Sequence, residues 1–123
     1  MQAREQLDRV RKIVLDAKKL KKRREQLVAS GTSLVEIDAE IERNQAEYQE
    51  MLDCLTPLIN QIGWDQLRNI LYKFYFEAAP MSEVLTTVID LPVNPSCLSF
   101  AQSRKQMAIK DLQRVIDRQE NKK

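Results

Sequence analysis

The sequence predicts an all-α protein in which an N-terminal antiparallel coiled-coil hairpin is followed by a helix-turn-helix-like helical bundle. Two features of composition support this fold class. The 123 residues include only 2 Gly and 4 Pro, so the frequent turns of an all-β fold are missing. With 43% apolar and 31% charged residues, the chain is too apolar for a disordered tail and too charged for a membrane protein. A third feature, the spacing of the apolar residues, defines the individual helices.

The first predicted helix covers residues 2–29, which contain strong helix formers and no Gly or Pro. Apolar residues separated by three or four positions form a narrow stripe along one of its faces. The stripe begins with Ala3, Leu7, Val10, Val14 and Ala17. We expect the helix to end at Ser30-Gly31, because glycine readily adopts the left-handed conformation that terminates helices.

The second predicted helix has the most regular apolar pattern in the chain. It opens with a capping box, in which Ser33 accepts from a backbone amide and Glu36 reaches back. Alternating steps of three and four residues then indicate a coiled-coil seam over four heptads. Its members are Leu34, Ile37, Ile41, Asn44, Tyr48, Met51, Leu55, Leu58 and Ile62. Asn44 is the only polar member, which predicts a role in fixing the register. Pro57 predicts a kink or break near residues 52–56.

The distribution of charge supports a hairpin. Residues 1–29 carry ten basic and four acidic side chains, a net charge of +6, whereas residues 30–63 carry one basic and seven acidic, a net charge of −6. Two long helices joined by a few residues must fold back on each other, and their opposite charges then face each other. We therefore expect a helical hairpin domain in residues 1–63 and a second helical unit in residues 64–123.

A run of six basic residues near the hairpin turn has two interpretations. The run consists of Lys18, Lys19, Lys21, Lys22, Arg23 and Arg24. It is either a solvated face paired with the acidic residues of the second helix, or a patch that contacts phosphates. Six clustered cations cannot all be paired, so we expect some excess positive potential in either case.

The C-terminal half is predicted to contain three helices. The first covers residues 66–77, with Asp65 as its N-cap. The aromatic cluster from Trp64 to Phe76 is typical of a core. A short helix follows at about residues 82–89. After a loop, Asn94-Pro95 supplies an N-cap and a favourable first residue for a long helix over about residues 96–118.

This order of helices suits a helix-turn-helix, in which the N-terminal end of the last helix enters the DNA major groove. Small polar side chains can contact base edges there, and basic ones can reach bases or phosphates. The candidate DNA-binding residues are Ser99, Gln102, Ser103, Arg104, Lys105 and Lys110.

Composition also narrows the classes of function. The absence of His removes most metal sites and the commonest general base, so we expect no enzyme, no catalytic or metal-binding residues and no cofactor. The two cysteines, Cys54 and Cys97, form no CxxC pair and are expected to be reduced. No signal peptide or membrane-spanning segment is visible, which predicts a cytoplasmic protein that does not contact membranes.

The C-terminal half resembles region four of sigma-70-type factors. The resemblance is carried by residues 68–77, by Ser82-Glu83-Val84, and by the spacing of Ala101, Ala108 and Leu112. A charged helical region ahead of such a unit is similar to the small phage transcriptional regulators of the ArpU and RinA type. The resemblance covers residues 66–116 and implies a phage-type transcription regulator in the cytoplasm of a bacterial host cell.

Such a regulator would bind promoter DNA, RNA polymerase or another host or phage protein, and would form a homodimer through its coiled coil. An alternative interpretation is a small phage inhibitor or adaptor that sequesters a host protein through its helical surface. The apolar residues Leu98 and Phe100 favour this alternative, because they stand where the sigma-type pattern places DNA-facing polar residues.

Overall fold

The computed structural model describes residues 1–122, which form five helices and no strand, and the all-α prediction is confirmed. The helices are α1 (Ala3–Ala29), α2 (Val35–Ile59), α3 (Asp65–Leu71), α4 (Met81–Val84) and α5 (Pro95–Asn121). The helices α1 and α2 pack along each other as the expected hairpin.

The turn of the hairpin is a helix-terminating motif centred on Gly31. Gly31 has a φ of +70°, and its amide donates to the carbonyl of Val28 at 3.2 Å. The amide of Thr32 donates to the carbonyl of Leu27 at 3.1 Å. These two bonds satisfy carbonyls that the end of α1 would otherwise leave unpaired. The predicted glycine stop is confirmed.

Asn44 links the two helices of the hairpin. Its side chain is half-buried, and its Nδ2 atom donates to the backbone carbonyl of Ile13 at 3.0 Å. A shift of α2 along α1 would break this bond and leave a partly buried amide without a partner. The position agrees with the predicted role of Asn44 in fixing the register.

Three local predictions about helix ends are not fully confirmed. The helix α2 runs through Pro57 to Ile59, so no break occurs there, and the alternative of a kink stays a prediction. The proline removes only the bond that its nitrogen would donate to the carbonyl of Asp53, and the helix continues on both sides. Only part of the capping box forms at its start: the Oγ atom of Ser33 accepts from the amide of Val35 at 3.4 Å, but Leu34 is the N-cap and Glu36 makes no return bond within residues 1–122. Asp65 lies inside α3, and the N-cap is Trp64. In both cases the helix begins one residue away from the expected position.

Both short helices of the C-terminal half end in a π-helical turn. The helix α3 continues as Tyr72–Phe76 and α4 continues as Leu85–Ile89. Each turn is followed by a left-handed residue that is not glycine, Ala78 with φ 54° and Asp90 with φ 65°. The repeated geometry turns the chain sharply twice and brings the start of α5 back toward α3.

The core lies at one end of the molecule and draws on both halves of the chain. Its fully buried members include Leu7, Val10, Leu55, Ile59, Ile70, Leu71, Val84, Leu112 and Ile116. Between Ile13 and Met51, by contrast, only Ile37 is buried. We call residues 14–50 the arm and the remainder the base. Residues 1–63 and residues 64–123, the two predicted domains, both contribute side chains to the core of the base. The domain boundary after residue 63 stays a prediction.

A cation from α1 joins the hairpin to the C-terminal half. The Nη1 atom of Arg11 donates to the carbonyls of Phe74 at 2.5 Å and Ala79 at 3.2 Å. The guanidinium carbon also lies 4.0 Å from the centre of the Phe74 ring. Carbonyls at the end of a helix carry partial negative charge, so a guanidinium is well placed there. This contact fixes how the C-terminal half sits against α1.

Candidate functional site

Four of the predicted DNA-binding residues are exposed on α5. Ser99, Ser103 and Lys110 follow one another at intervals of four and seven residues, which places them on one face of the helix. Gln102 is exposed beside them. No hydrogen bond from these four side chains to another residue occurs within residues 1–122, so all four are free to meet a ligand.

The start of α5 is held by the predicted cap. The Oδ1 atom of Asn94 accepts a hydrogen bond from the amide of Cys97 at 2.8 Å, and Pro95 is the first residue of the helix. This arrangement satisfies one of the free amides of the first turn. The exposed polar face therefore rests on a helix whose beginning is fixed, and not on a loop.

Arg104 lies close to two exposed aromatic rings. Its guanidinium carbon is 4.3 Å from the centre of the Trp64 ring and 4.8 Å from the centre of the Phe100 ring. Both distances are within the range of attraction between a cation and an aromatic face, about 6 Å. Both rings therefore contact the guanidinium and restrict the positions that the side chain can adopt. No carboxylate pairs with it within residues 1–122.

Lys105 points toward the interior and not toward the exposed polar face. Its Nζ atom lies 4.4 Å from the centre of the Phe74 ring, on which Arg11 also stacks. Partial burial lowers the pKa of Lys105, and the nearby charges of Arg4 and Arg11 lower it further. The lysine thus belongs to the junction between α1 and the C-terminal half. The structure does not bring it together with the other predicted DNA-binding residues.

A larger exposed surface surrounds Arg104. Met107 lies on the same face of α5 as Phe100, because residues seven positions apart coincide after two helical turns. Trp64, Phe100 and Met107 are 42%, 40% and 43% exposed, which is high for such large apolar side chains. We call Trp64, Phe100, Arg104 and Met107 the aromatic–arginine surface. It borders the row formed by Ser99, Ser103 and Lys110.

The segment leading into this surface carries only negative charge. No Lys or Arg occurs between Lys73 and Arg104, whereas Glu77, Glu83 and Asp90 all lie there. This segment contains α4, the helix that would cross the DNA backbone in a helix-turn-helix. It supplies hydroxyl groups but no cation for contacts with phosphate.

The basic run of α1 divides into engaged and free residues. The Nζ atom of Lys18 donates to the carbonyl of Glu77 at 3.3 Å, and Arg24 pairs with Asp38 at 2.7 Å. The other four make no ion pair within residues 1–122. They are Lys19, Lys21, Lys22 and Arg23. No hydrogen bond or ion pair in the described residues links this run to the polar face of α5.

Sequence reasoning missed the stacked arginine. The aromatic residues from Trp64 onward were expected to form a core, and Trp64 instead lies on the surface at the N-cap of α3. One signal was present in the sequence, since Phe100 and Arg104 are four residues apart and such pairs meet on a helix surface. Nothing in the sequence shows that Trp64 approaches the same guanidinium from another helix.

Comparison with family models, with curated proteins and with solved structures finds no match to this chain. Within residues 1–122, no helix is long and apolar enough to cross a membrane. No group of three or more cysteine or carboxylate side chains comes together as a metal site in this part of the chain.

Proposed function

We propose that this chain is a small transcription regulator that acts by binding a protein of the transcription machinery through its aromatic–arginine surface. The observation that carries the proposal is Arg104, whose guanidinium contacts the exposed rings of Trp64 and Phe100 and has no carboxylate partner in residues 1–122. The link to transcription rests on the resemblance of residues 66–116 to region four of sigma-70-type factors.

The composition of the surface suits a protein partner. Trp, Phe, Met and Arg are enriched in protein interfaces, and Trp and Arg are frequent among residues that contribute most to binding. An arginine already ordered by two rings loses less conformational entropy on binding than a free one. A carboxylate of the partner would meet Arg104, while apolar side chains would cover Phe100 and Met107.

Charge argues against duplex DNA as the main ligand of this surface. Affinity for DNA depends on cations that neutralise phosphates. Arg104 is the one cation of this surface, Lys110 borders it, and residues 74–103 supply no further cation. The carboxylate of Asp90 is exposed, has no ion-pair partner within residues 1–122 and would repel a phosphate backbone, whereas Glu83 is partly neutralised by Lys73 at 3.6 Å. The same carboxylates are compatible with a protein partner that presents mixed charge.

The proposed mechanism is recruitment. The regulator brings a partner to a site, or holds it away from one, and performs no bond chemistry. The rigid mounting of α5 on the core suits this role, because Leu112 and Ile116 of α5 are fully buried and keep the helix in place. A binding surface on a rigid element is presented without a large cost of ordering.

DNA binding is a second candidate function, and a specific observation favours it. Ser99, Gln102, Ser103 and Lys110 are exposed and make no hydrogen bond to another residue within residues 1–122. Side chains of these types can bind base edges and phosphates from a helix in the major groove. In this case the polar face of α5 would be the binding site, and the aromatic–arginine surface would flank it.

Binding of purified bacterial RNA polymerase to the immobilised chain tests the first candidate. We expect Phe100→Ala and Arg104→Ala each to weaken binding at least tenfold, about 1.4 kcal/mol. The matched control is Arg114→Ala, which removes the same charge from an exposed site on α5 that pairs with Asp111. It should leave the affinity nearly unchanged. Absence of binding, or equal losses in all three variants, would contradict the proposal.

Fluorescence anisotropy with a mixed-sequence DNA duplex at about 50 mM salt tests the second candidate. Micromolar binding that is lost on joint replacement of Ser99, Gln102 and Ser103 by Ala would support DNA binding. Under the first candidate, we expect no such binding, and the triple variant should bind the polymerase as the unmodified chain does.

A further inference from the structure

The arm buries too little apolar surface to be complete as a pair of helices. Only Ile37 is buried in residues 14–50, although the seam contains leucine and isoleucine residues at regular intervals. Four of these side chains are only half-buried, namely Leu20, Leu27, Leu34 and Ile41. Two helices in contact leave both sides of their seam open, and helical bundles cover such seams with further helices.

One open side of the arm forms a continuous groove. Its floor is apolar and contains Leu20, Leu27 and Ile37. Charged residues line the two edges, and the sign of the charge differs between them. The α1 edge carries Lys19 and Arg23 together with Asp16, and the α2 edge carries Glu36, Glu40 and Glu47 together with Arg43. We call this feature the charged groove.

The charges at the edges of the groove are mostly not neutralised within the chain. Lys19, Arg23, Glu36 and Glu40 make no ion pair within residues 1–122. Glu47 is the exception, because it pairs with Arg9 at 3.0 Å. The groove therefore offers a cationic edge and an anionic edge, and both are available to an outside partner.

We propose that the charged groove binds the charged groove of a second copy of this chain, so that two arms form a four-helix bundle. A nucleic acid would be attracted by the α1 edge and repelled by the α2 edge. A second copy carries both signs in the same layout. It therefore satisfies both edges at once, and its floor covers the half-buried Leu20 and Leu27.

Symmetry selects one arrangement of the two arms. A two-fold axis across the arms would place α1 on α1 and α2 on α2, so that like charges face each other. A two-fold axis along the arms places α1 of each copy against α2 of the other. Arg23 and Glu40 line the same stretch of the groove, so Arg23 then faces Glu40 of the second copy. The two copies point their hairpin turns in the same direction.

Sedimentation equilibrium on charge-reversed variants tests this arrangement. The unmodified chain should have twice the chain mass of 14.4 kDa. Lys19→Glu/Arg23→Glu and Glu36→Lys/Glu40→Lys should each be monomeric alone and dimeric when mixed in equal amounts, because α1 of one variant then attracts α2 of the other. Lys21→Glu/Lys22→Glu changes the net charge equally at positions that do not line the groove, and it should remain dimeric.

Several outcomes would overturn the proposal. They are a monomeric unmodified chain, a control variant that dissociates like the groove variants, and a mixture that stays monomeric. Circular dichroism establishes that each variant is helical, and Arg23→Glu and Glu40→Lys replace any double variant that unfolds. These results are independent of binding through the aromatic–arginine surface, which lies in the base.

Carbodiimide coupling of a mixture of ¹⁵N-labelled and unlabelled chains tests the direction of the two-fold axis. A bond between Lys19 of a labelled chain and Glu40 of an unlabelled one is expected when α1 faces α2, because both residues line the same stretch of the groove. Dimers that couple these groups only within one chain would contradict the arrangement.

Discussion

The two halves of α1 show how differently one continuous helix can be stabilised. In the base, Ala3, Leu7, Val10 and Ile13 are all buried against the rest of the core. In the arm, the same helix continues to Ala29 without a buried residue. Both halves present an apolar stripe, which continues into the arm in a shifted frame and is interrupted there by the charged residues 21–25. The difference is the number of elements that cover the stripe.

The cations on α1 also differ in whether another element of the molecule lies against them. Arg11 and Lys18 donate to backbone carbonyls of the C-terminal half and so belong to the packing of the molecule. Lys21 and Lys22, a short distance further along the helix, contact no carboxylate within residues 1–122. A basic residue on α1 is thus structural where another element lies over it and is free where none does.

Replacing one leucine in each half of α1 should show the largest contrast. Leu7→Ala removes a fully buried side chain, so we expect it to lower the free energy of unfolding by about 2–5 kcal/mol. Leu27→Ala removes a half-buried side chain near the turn, and its cost should be about 1 kcal/mol or less. Urea unfolding, at a protein concentration where the chain is monomeric, measures both.

The unmodified chain and the two variants should show the same dependence of unfolding free energy on urea, because all three unfold to the same chain. Equal losses in the two variants would mean that the arm is as well packed as the base, and the distinction between the regions would then fail.

Replacing one cation in each half should give a smaller contrast. Arg11→Met removes two hydrogen bonds to partly buried carbonyls, and we expect a loss of about 2 kcal/mol. Lys22→Met removes the same charge from an exposed position and should change stability by about 0.5 kcal/mol or less. Thermal unfolding by circular dichroism measures the difference. Comparable losses would show that charge, and not the contact with the carbonyls, is what matters.

The arm was the easier region to predict from sequence. Its features are local, and each follows from a few neighbouring residues: the Gly31 stop and the position of Asn44 in the seam both agree with the structure. The hairpin itself follows from two long patterns and a short connection. Likewise, the Asn94-Pro95 start of α5 depends only on adjacent residues and is confirmed.

The base was harder because its details depend on contacts between distant residues. The spacing of apolar residues does not distinguish a π-helical turn from the end of an α-helix. The left-handed conformation of Ala78 is also not expected from the sequence, because alanine ordinarily avoids positive φ. The stacking of Arg104 on Trp64 joins residues from two different helices of the C-terminal half. The same limitation applies to Lys105, which was expected at the exposed face and lies at the junction with α1.

We expect the smallest difference in stability between alanine substitutions at the two glycines of the chain, Gly31 and Gly63. A Cβ atom added at either position would have no neighbour within 4 Å, so steric clash is absent at both. Gly31 has a φ of +70°, a conformation that costs an L-residue about 1–2 kcal/mol, whereas Gly63 has no such conformation. Gly31→Ala should therefore lower the free energy of unfolding by about 1 kcal/mol, and Gly63→Ala should leave it unchanged or raise it slightly.

Native-state hydrogen exchange shows which residues are destabilised by each substitution. Because the arm is held by its turn and by few buried contacts, Gly31→Ala should accelerate exchange in residues 14–50 more than in the base. An equal acceleration of exchange in the base would mean that arm and base unfold as one unit. In that case the sparsely packed arm would not unfold more easily than the base, and the loss of the turn conformation at Gly31 would lower the stability of the whole molecule.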